Sequence, residues 1–197
     1  YDVSVDLEGK EFVKIQLDWD YENRKVHLSM APYLQKALRQ FDNIVPSKCQ
    51  DSPYPYTEPK YGAKQQFAEY DTSAPVGNNE QKYVQKVTGK FNWCGRGVDA
   101  TMLMPISALS AQQAKPTQAT MRQVQHFLNY AASKEPTVTT YHASDMVLAI
   151  HSDAGYLNEE GARSRAGGHH FLSENVASPS NNGATYNEAS IIKAVMS

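Results

Sequence analysis

The sequence is short of cysteine, of net charge and of long apolar runs. Cys49 and Cys94 are its only cysteines. Two thiols build neither a disulfide framework nor a four-ligand zinc site, so a reducing, intracellular setting is expected, in a cytoplasmic particle or the nucleus, and not secretion. The net charge is only −2, from 19 Lys and Arg against 21 Asp and Glu. Free-standing nucleic-acid-binding domains usually carry a strong basic excess, so the balance argues mildly against tight binding. Carboxylates gathered for a metal would lower the net charge too, which blunts that objection. No run approaches membrane-spanning length and no charged-then-apolar leader is present, so no membrane partner is expected. The 197 residues suit one or two small domains. The chain opens at Tyr1 in mid-pattern, as a piece of a longer polypeptide would.

What is present reads as α+β. Over residues 12–30, Val13, Ile15, Leu17 and Trp19 alternate with polar residues, then Val26, Leu28 and Met30 do the same, which predicts a β-hairpin. Pro32 suits a first helical turn, and Leu34, Ala37, Leu38 and Phe41 follow at helical spacing. From Ile44 to Asn79 five prolines break every pattern, and Tyr54, Tyr56 and Tyr61 suggest that this connector lies against something. A helix over 80–94 would bury Val84, Val87, Phe91 and Cys94 and carry Lys82, Lys86 and Lys90 on another stripe. Phe91 and Trp93 read as core. Residues 100–113 look helical, although Pro105 would remove a donor or force a late start. A third helix is expected to begin near Thr120, with Thr120 and Gln123 as a capping box and Val124, Phe127, Leu128 and Ala131 as its apolar face.

The last fifty residues hold three strand-like runs, at 146–154, 165–172 and 189–196. Short turn-rich links join them, Ser178–Gly183 among these, so an antiparallel meander is expected. Asp153 closes the first run. Asp before Ala-Gly also forms turns, so two readings stand for it. The domain division is then 1–43, 44–79, 80–140 and 141–197.

In this order the chain resembles a copia-type retrotransposon polyprotein, at the end of the reverse transcriptase running into ribonuclease H. The runs that carry the resemblance are Leu17-Asp-Trp-Asp-Tyr, Val26-His-Leu-Ser-Met-Ala-Pro-Tyr, Tyr61-Gly-Ala-Lys-Gln-Gln, Val98-Asp-Ala-Thr-Met-Leu, Tyr141-His-Ala-Ser-Asp-Met, His151-Ser-Asp-Ala and Ala162-Arg-Ser-Arg-Ala-Gly-Gly-His. The resemblance implies reverse-transcriptase thumb or connection elements before residue 141 and a truncated, three-stranded start of a ribonuclease H-like sheet after it. It implies an RNA–DNA hybrid or primer-template duplex and the remainder of the polyprotein as partners. No Tyr-x-Asp-Asp motif is present, so polymerase activity is not expected here.

Ribonuclease H chemistry uses two Mg²⁺ ions about 4 Å apart, held by carboxylates. The resemblance makes Asp153 the catalytic carboxylate and first metal ligand. Further acids would be needed; Glu159, Glu160, Glu174 and Glu188 read as solvated surface. His169 and His170 are adjacent on a strand and point to opposite faces, so they cannot readily grip one ion. Gly167-Gly168 permits either a close approach of nucleic acid or a bulge. Arg163 and Arg165, and the stripe of Lys82, Lys86 and Lys90, offer phosphate contacts or an ordinary solvated surface. The competing function is a non-catalytic remnant or an interaction module.

Overall fold

A computed structural model describes residues 5–55, 69–161 and 163–192. The chain runs β1 (Glu11–Phe12), β2 (Ile15–Asp20), β3 (Lys25–Ser29), α1 (Ala31–Gln40), α2 (Asn78–Gly97), a 3₁₀ turn (Ala100–Met102), α3 (Leu103–Gln112), α4 (Gln118–Ser133), β4 (Val138–His142), β5 (Val147–Glu159), β6 (Arg163–Ser173) and β7 (Ala184–Ile192). The mixed α+β class is as expected. Two antiparallel sheets flank the helices, one in the order β1-β2-β3-β4 and one in the order β5-β6-β7.

The helices make one core. Leu34 and Leu38 of the first with Phe41 just past its end, Val84, Val87 and Phe91 of the second, and Val124, Phe127 and Leu128 of the fourth are buried together. Phe91 is its centre: its ring meets Phe127 edge-on at 5.2 Å and lies tilted 6.1 Å from Phe41. Each such side chain contributes about 1.5–3 kcal/mol by leaving water. Trp93, expected in the core, is instead 36% exposed, because it lies two residues from Phe91 and a helix turns about 100° per residue. Cys94 is buried, and burial pushes its thiol up to about 12, so it is inert as a nucleophile.

Several boundaries differ from expectation. Val13 and Lys14 have positive φ and form the turn between β1 and β2, so the strand starts at Ile15. Pro105 sits in the first turn of α3, where a missing N–H is tolerated; the 3₁₀ turn before it absorbs the late start. The cap of α4 is Thr117, not Thr120. Thr120 N donates to Thr117 Oγ1 at 3.2 Å and Thr117 N donates to Thr120 Oγ1 at 3.0 Å. Gln123 accepts from Gln112 instead.

The described part of the connector lies against α4 and, through Tyr54, against α3. Asn129 Oδ1 accepts from Ser47 N at 3.2 Å, and Gln50 N donates to Ser133 Oγ at 3.1 Å. Tyr54 Oη donates to Met104 O at 3.4 Å, and burial pushes its phenol up to about 12. Tyr56 and Tyr61 lie outside the described residues.

The sequence did not announce β4. Val138–His142 pairs with all of β3, with Ser29 opposite Val138 and Lys25 opposite His142. A buried ion pair anchors the approach to it. Lys134 Nζ donates to Asp99 Oδ2 at 2.6 Å, with the two side chains 18% and 4% exposed. Thr101 Oγ1 and Tyr130 Oη accept from the same ammonium, at 3.0 and 3.3 Å. Burial opposes the lysine's charge, but the hydrogen bond and the charge of Asp99 outweigh it and hold its pKa above the ordinary 10.5.

Two outcomes follow. Replacing Asp99 with Asn strands the ammonium and is expected to cost about 3 kcal/mol in a urea titration. The raised lysine value gives the sign of the pH effect: its contribution is complete below the unfolded value of 10.5 and is lost as pH climbs through the higher folded value. The difference between wild type and Asp99→Asn should therefore hold constant across neutral pH and shrink only at strongly alkaline pH.

Candidate nucleic-acid site around Asp153

The three C-terminal strands form the expected meander, pairing with one another and not with the hairpin. The first is longer than its apolar run suggested. Pairing continues past Asp153 through Gly155 opposite Arg165, and after an irregularity through Glu159 opposite Arg163. Leu157, at a φ of 50°, bends the strand there. Asp153 therefore sits in the middle of β5, not at its end. The last strand begins earlier than predicted, at Ala184, and the predicted residues 193–196 lie outside the described residues. The middle strand spans 163–173, two residues earlier and one later than expected.

Asp153 is opposite Gly167, which is opposite Ala189. Neither neighbour has a side chain that covers the carboxylate. A Cβ on Gly167 would meet nothing nearer than a backbone oxygen at 3.8 Å. Its ladder is regular, because the register shifts fall at 155–159 and at 170–171, so the bulge reading of Gly167-Gly168 does not hold. Asp153 is exposed, and its Oδ1 accepts from Ala154 N at 2.8 Å. Around it a cavity of about 390 Å³ opens between the sheet and Leu103 and Met104 at the start of α3; Asn158, Arg165, Asn187 and Glu188 also line it.

Arg165 reaches this cavity from a committed position. Its Nε donates to Glu159 Oε1 at 2.6 Å, with the two side chains 13% and 22% exposed. Glu159 is therefore a partner, not solvated surface. The pair bridges the bend in β5, since Glu159 lies beyond the irregularity and Arg165 before it. One guanidinium nitrogen, Nη1, is buried and has no hydrogen-bond partner. Arg163 donates from Nε to Glu160 O at 2.9 Å, closing the β5–β6 turn.

His169 and His170 take opposite faces, as period two requires, and both are half-buried. His169 lies 2.9 Å from Asn187 Oδ1 and 3.2 Å from Asn182 O. His170 packs on Tyr186. His151 stands opposite His169, with ring centroids 6.4 Å apart.

The lysine stripe belongs to another surface. Lys82 and Lys86 are exposed on α2, and Lys90 is half-buried with its ammonium 5.7 Å above the Tyr33 ring. None of the three lines the cavity at Asp153.

Two Mg²⁺ ions need several converging carboxylates. Among the described residues no group of three His, Cys, Asp or Glu side chains converges on one point. Glu188 lines the same cavity, but its Oε1 accepts from Ser190 Oγ at 2.9 Å. The described residues thus offer a first carboxylate and do not fit a metal pair. The feature that sequence reading missed is the Glu159–Arg165 pair; opposite charges six residues apart about a turn were its only signal. Comparison with protein-family models, curated proteins and solved structures finds no match.

Replacing Glu159 with Gln is expected to leave Arg165 without its counter-charge and to cost about 2 kcal/mol, somewhat below the usual range because the pair is partly exposed. A urea midpoint against wild type measures it. An unchanged midpoint would remove the pair from the forces that hold the bend.

Proposed function

We propose that this chain is part of the reverse transcriptase–ribonuclease H region of a copia-type polyprotein, and that it engages an RNA–DNA hybrid. One observation carries the reading. Asp153 lies on the first strand of a three-stranded antiparallel meander, on ground kept open by Gly167 and Ala189. A carboxylate on a rigid strand with clear space around it suits a ligand to the Mg²⁺ ions of phosphodiester hydrolysis. Asp153 alone supplies only one of the carboxylates that this chemistry requires. The chain by itself therefore binds hybrid without cleaving it, and Arg165, which lines the cavity beside Asp153, is the cation disposed toward a phosphate there.

The second reading is a non-catalytic nucleic-acid or protein interaction module. It is favoured by the lack of converging metal ligands among the described residues and by the commitment of Arg163 and Arg165 to structural contacts.

Fluorescence anisotropy with a labelled RNA–DNA hybrid should show weak binding that falls steeply with salt, because phosphate contacts release counterions. Adding Mg²⁺ should release no RNA, and Asp153→Asn should leave binding at moderate salt unchanged or slightly tighter. Tight binding indifferent to salt would contradict phosphate recognition. Mg²⁺-dependent cleavage by this chain would show that the acid set is complete.

A further inference from the structure

β5 is an edge strand. Among the described residues it pairs with β6 on one side and with no strand on the other. From Val147 to Ala154 every residue but Ala149 is exposed. Leu148 and Ile150, 57% and 52% exposed, stand on the face of the sheet away from the buried Phe171, opposite Leu172 and His170 of β6. Natural edge strands are blunted by lysine, proline, a bulge or sheer shortness. The stretch from Val147 to Ser152 has no charge, no proline and no break in register.

The other described edges are blunted or covered. β1 is two residues long and lies between Lys10 and Lys14. The open side of β4 is taken by Asn182 and Gly183. β7 lies beside α2 and α3. Only β5 presents a long uncharged edge, so the described segment that matches it in length and character is β5 of another copy. The ladder fixes which backbone groups meet there, because an antiparallel strand turns them alternately toward its partner and away. Val147 O accepts from Ser173 Oγ of β6, and Ala154 N donates to Asp153 Oδ1. The odd-numbered residues therefore turn toward β6, and Leu148, Ile150 and Ser152 turn toward the edge.

We propose that two copies of this chain associate through β5, antiparallel, about a two-fold axis at Ile150. Ile150 then faces the partner's Ile150, and Leu148 faces the partner's Ser152. Three such edge-facing pairs exchange roughly six backbone hydrogen bonds. Leu148 and Ile150 of the two copies make one apolar strip on the outer face. An axis at Ala149 would leave only about four bonds, and one at His151 would need the Ala154 N–H that Asp153 already holds. The two Asp153 carboxylates stand about 20 Å apart along the ladder, beyond a Debye length of about 8 Å, so their charges do not oppose the pairing. The joined sheet has β7 beside helices at each outer edge, so association closes at two copies. The proposal does not depend on the nucleic-acid reading.

Sedimentation velocity of the whole chain across a concentration series should show monomer and dimer with a Kd on the order of 10 μM, since one ladder lies at the low end of interface sizes. Ile150→Lys places a charge at the axis, on an exposed side chain that the fold does not need buried. Ser152→Pro removes an edge-facing donor and leaves the bonds to β6 and the apolar face in place. Each should weaken the dimer at least about tenfold with an unchanged circular dichroism spectrum. Crosslinking with diamide tests the register without relying on either variant. Ile150→Cys should form a disulfide-linked dimer well above the wild-type background set by the exposed Cys49. Leu148→Cys should not, because the two residues 148 lie about 14 Å apart, beyond disulfide reach.

A wild type that stays monomeric throughout the series would overturn the proposal. So would a dimer that survives Ser152→Pro at full strength, which would mark stacking of the apolar faces instead of pairing at the edge. Species that grow beyond two copies would contradict the closed two-fold. Hydrogen exchange separates the remaining occupant: the Ile150 amide should exchange freely in dilute monomer and become protected as the dimer forms. Protection already present in the monomer would show that another stretch of the same chain fills the edge, and would overturn the second copy as its partner.

Discussion

The pairing of β4 with β3 is the constraint on which the rest of the molecule depends. It joins residues on either side of the whole helical core, and the entropy of closing so long a loop rises only slowly with its length. Five residue pairs repay it. His27 Nδ1 and Thr140 Oγ1 lie 2.7 Å apart across the ladder, and Thr139 Oγ1 donates to Val98 O at 2.8 Å. The strand is thereby tied to the hairpin on one side and to the end of α2 beneath it.

The free edge of β4 then positions the second sheet. Asn182 imitates a strand neighbour: its Oδ1 accepts from His142 N at 2.7 Å, and its Nδ2 donates to His142 O and to Leu172 O, each at 2.9 Å. Gly183 N donates to Thr140 O at 3.1 Å, and Tyr141 Oη donates to Ala184 O at 2.6 Å. Because β7 starts from this clasp, Ala189, Ser190 and Ile191 are delivered beside α2 and α3. Asp153 is placed at one remove, through β6. A glycine is required at 183, since a Cβ there would lie 2.7 Å from the Tyr141 ring; Gly183→Ala should loosen the clasp and lower the urea midpoint by about 1–3 kcal/mol of stability.

How far the sequence was legible follows from the range of each interaction. The apolar faces of α1, α2 and α4 were readable because helical period is local, and Val84, Phe91, Phe127 and Leu128 are buried as that period demands. The meander was readable because its links are short. Strand β4 was not, because Val-Thr-Thr-Tyr-His alternates too briefly to stand out and acquires its state only from β3 more than a hundred residues away. The length of β5 was hidden for a similar reason: its far half is polar and is held by Glu159 and Arg165. At the site, it was legible that Asp153 lies on a strand, but not that the strand runs on past it. The open ground opposite it depended on register, which no local pattern encodes.

Gly167 and Gly168 differ in what a side chain would meet. Glycine inside a strand weakens it by roughly 0.5–1 kcal/mol, since it loses the most backbone freedom and packs no side chain. Gly168 has a structural reason: a Cβ there would lie 2.9 Å from His170 Nε2, pressing on the ring that packs against Tyr186. Gly167 has none of that kind. Its neighbours leave ordinary van der Waals room for a Cβ, its φ is not in the left-handed region, and its ladder is unbroken. What Gly167 contributes is room: it leaves the cavity beside Asp153 unfilled from the opposite strand, while Asn158, Arg165 and Asn187 line the rest of it.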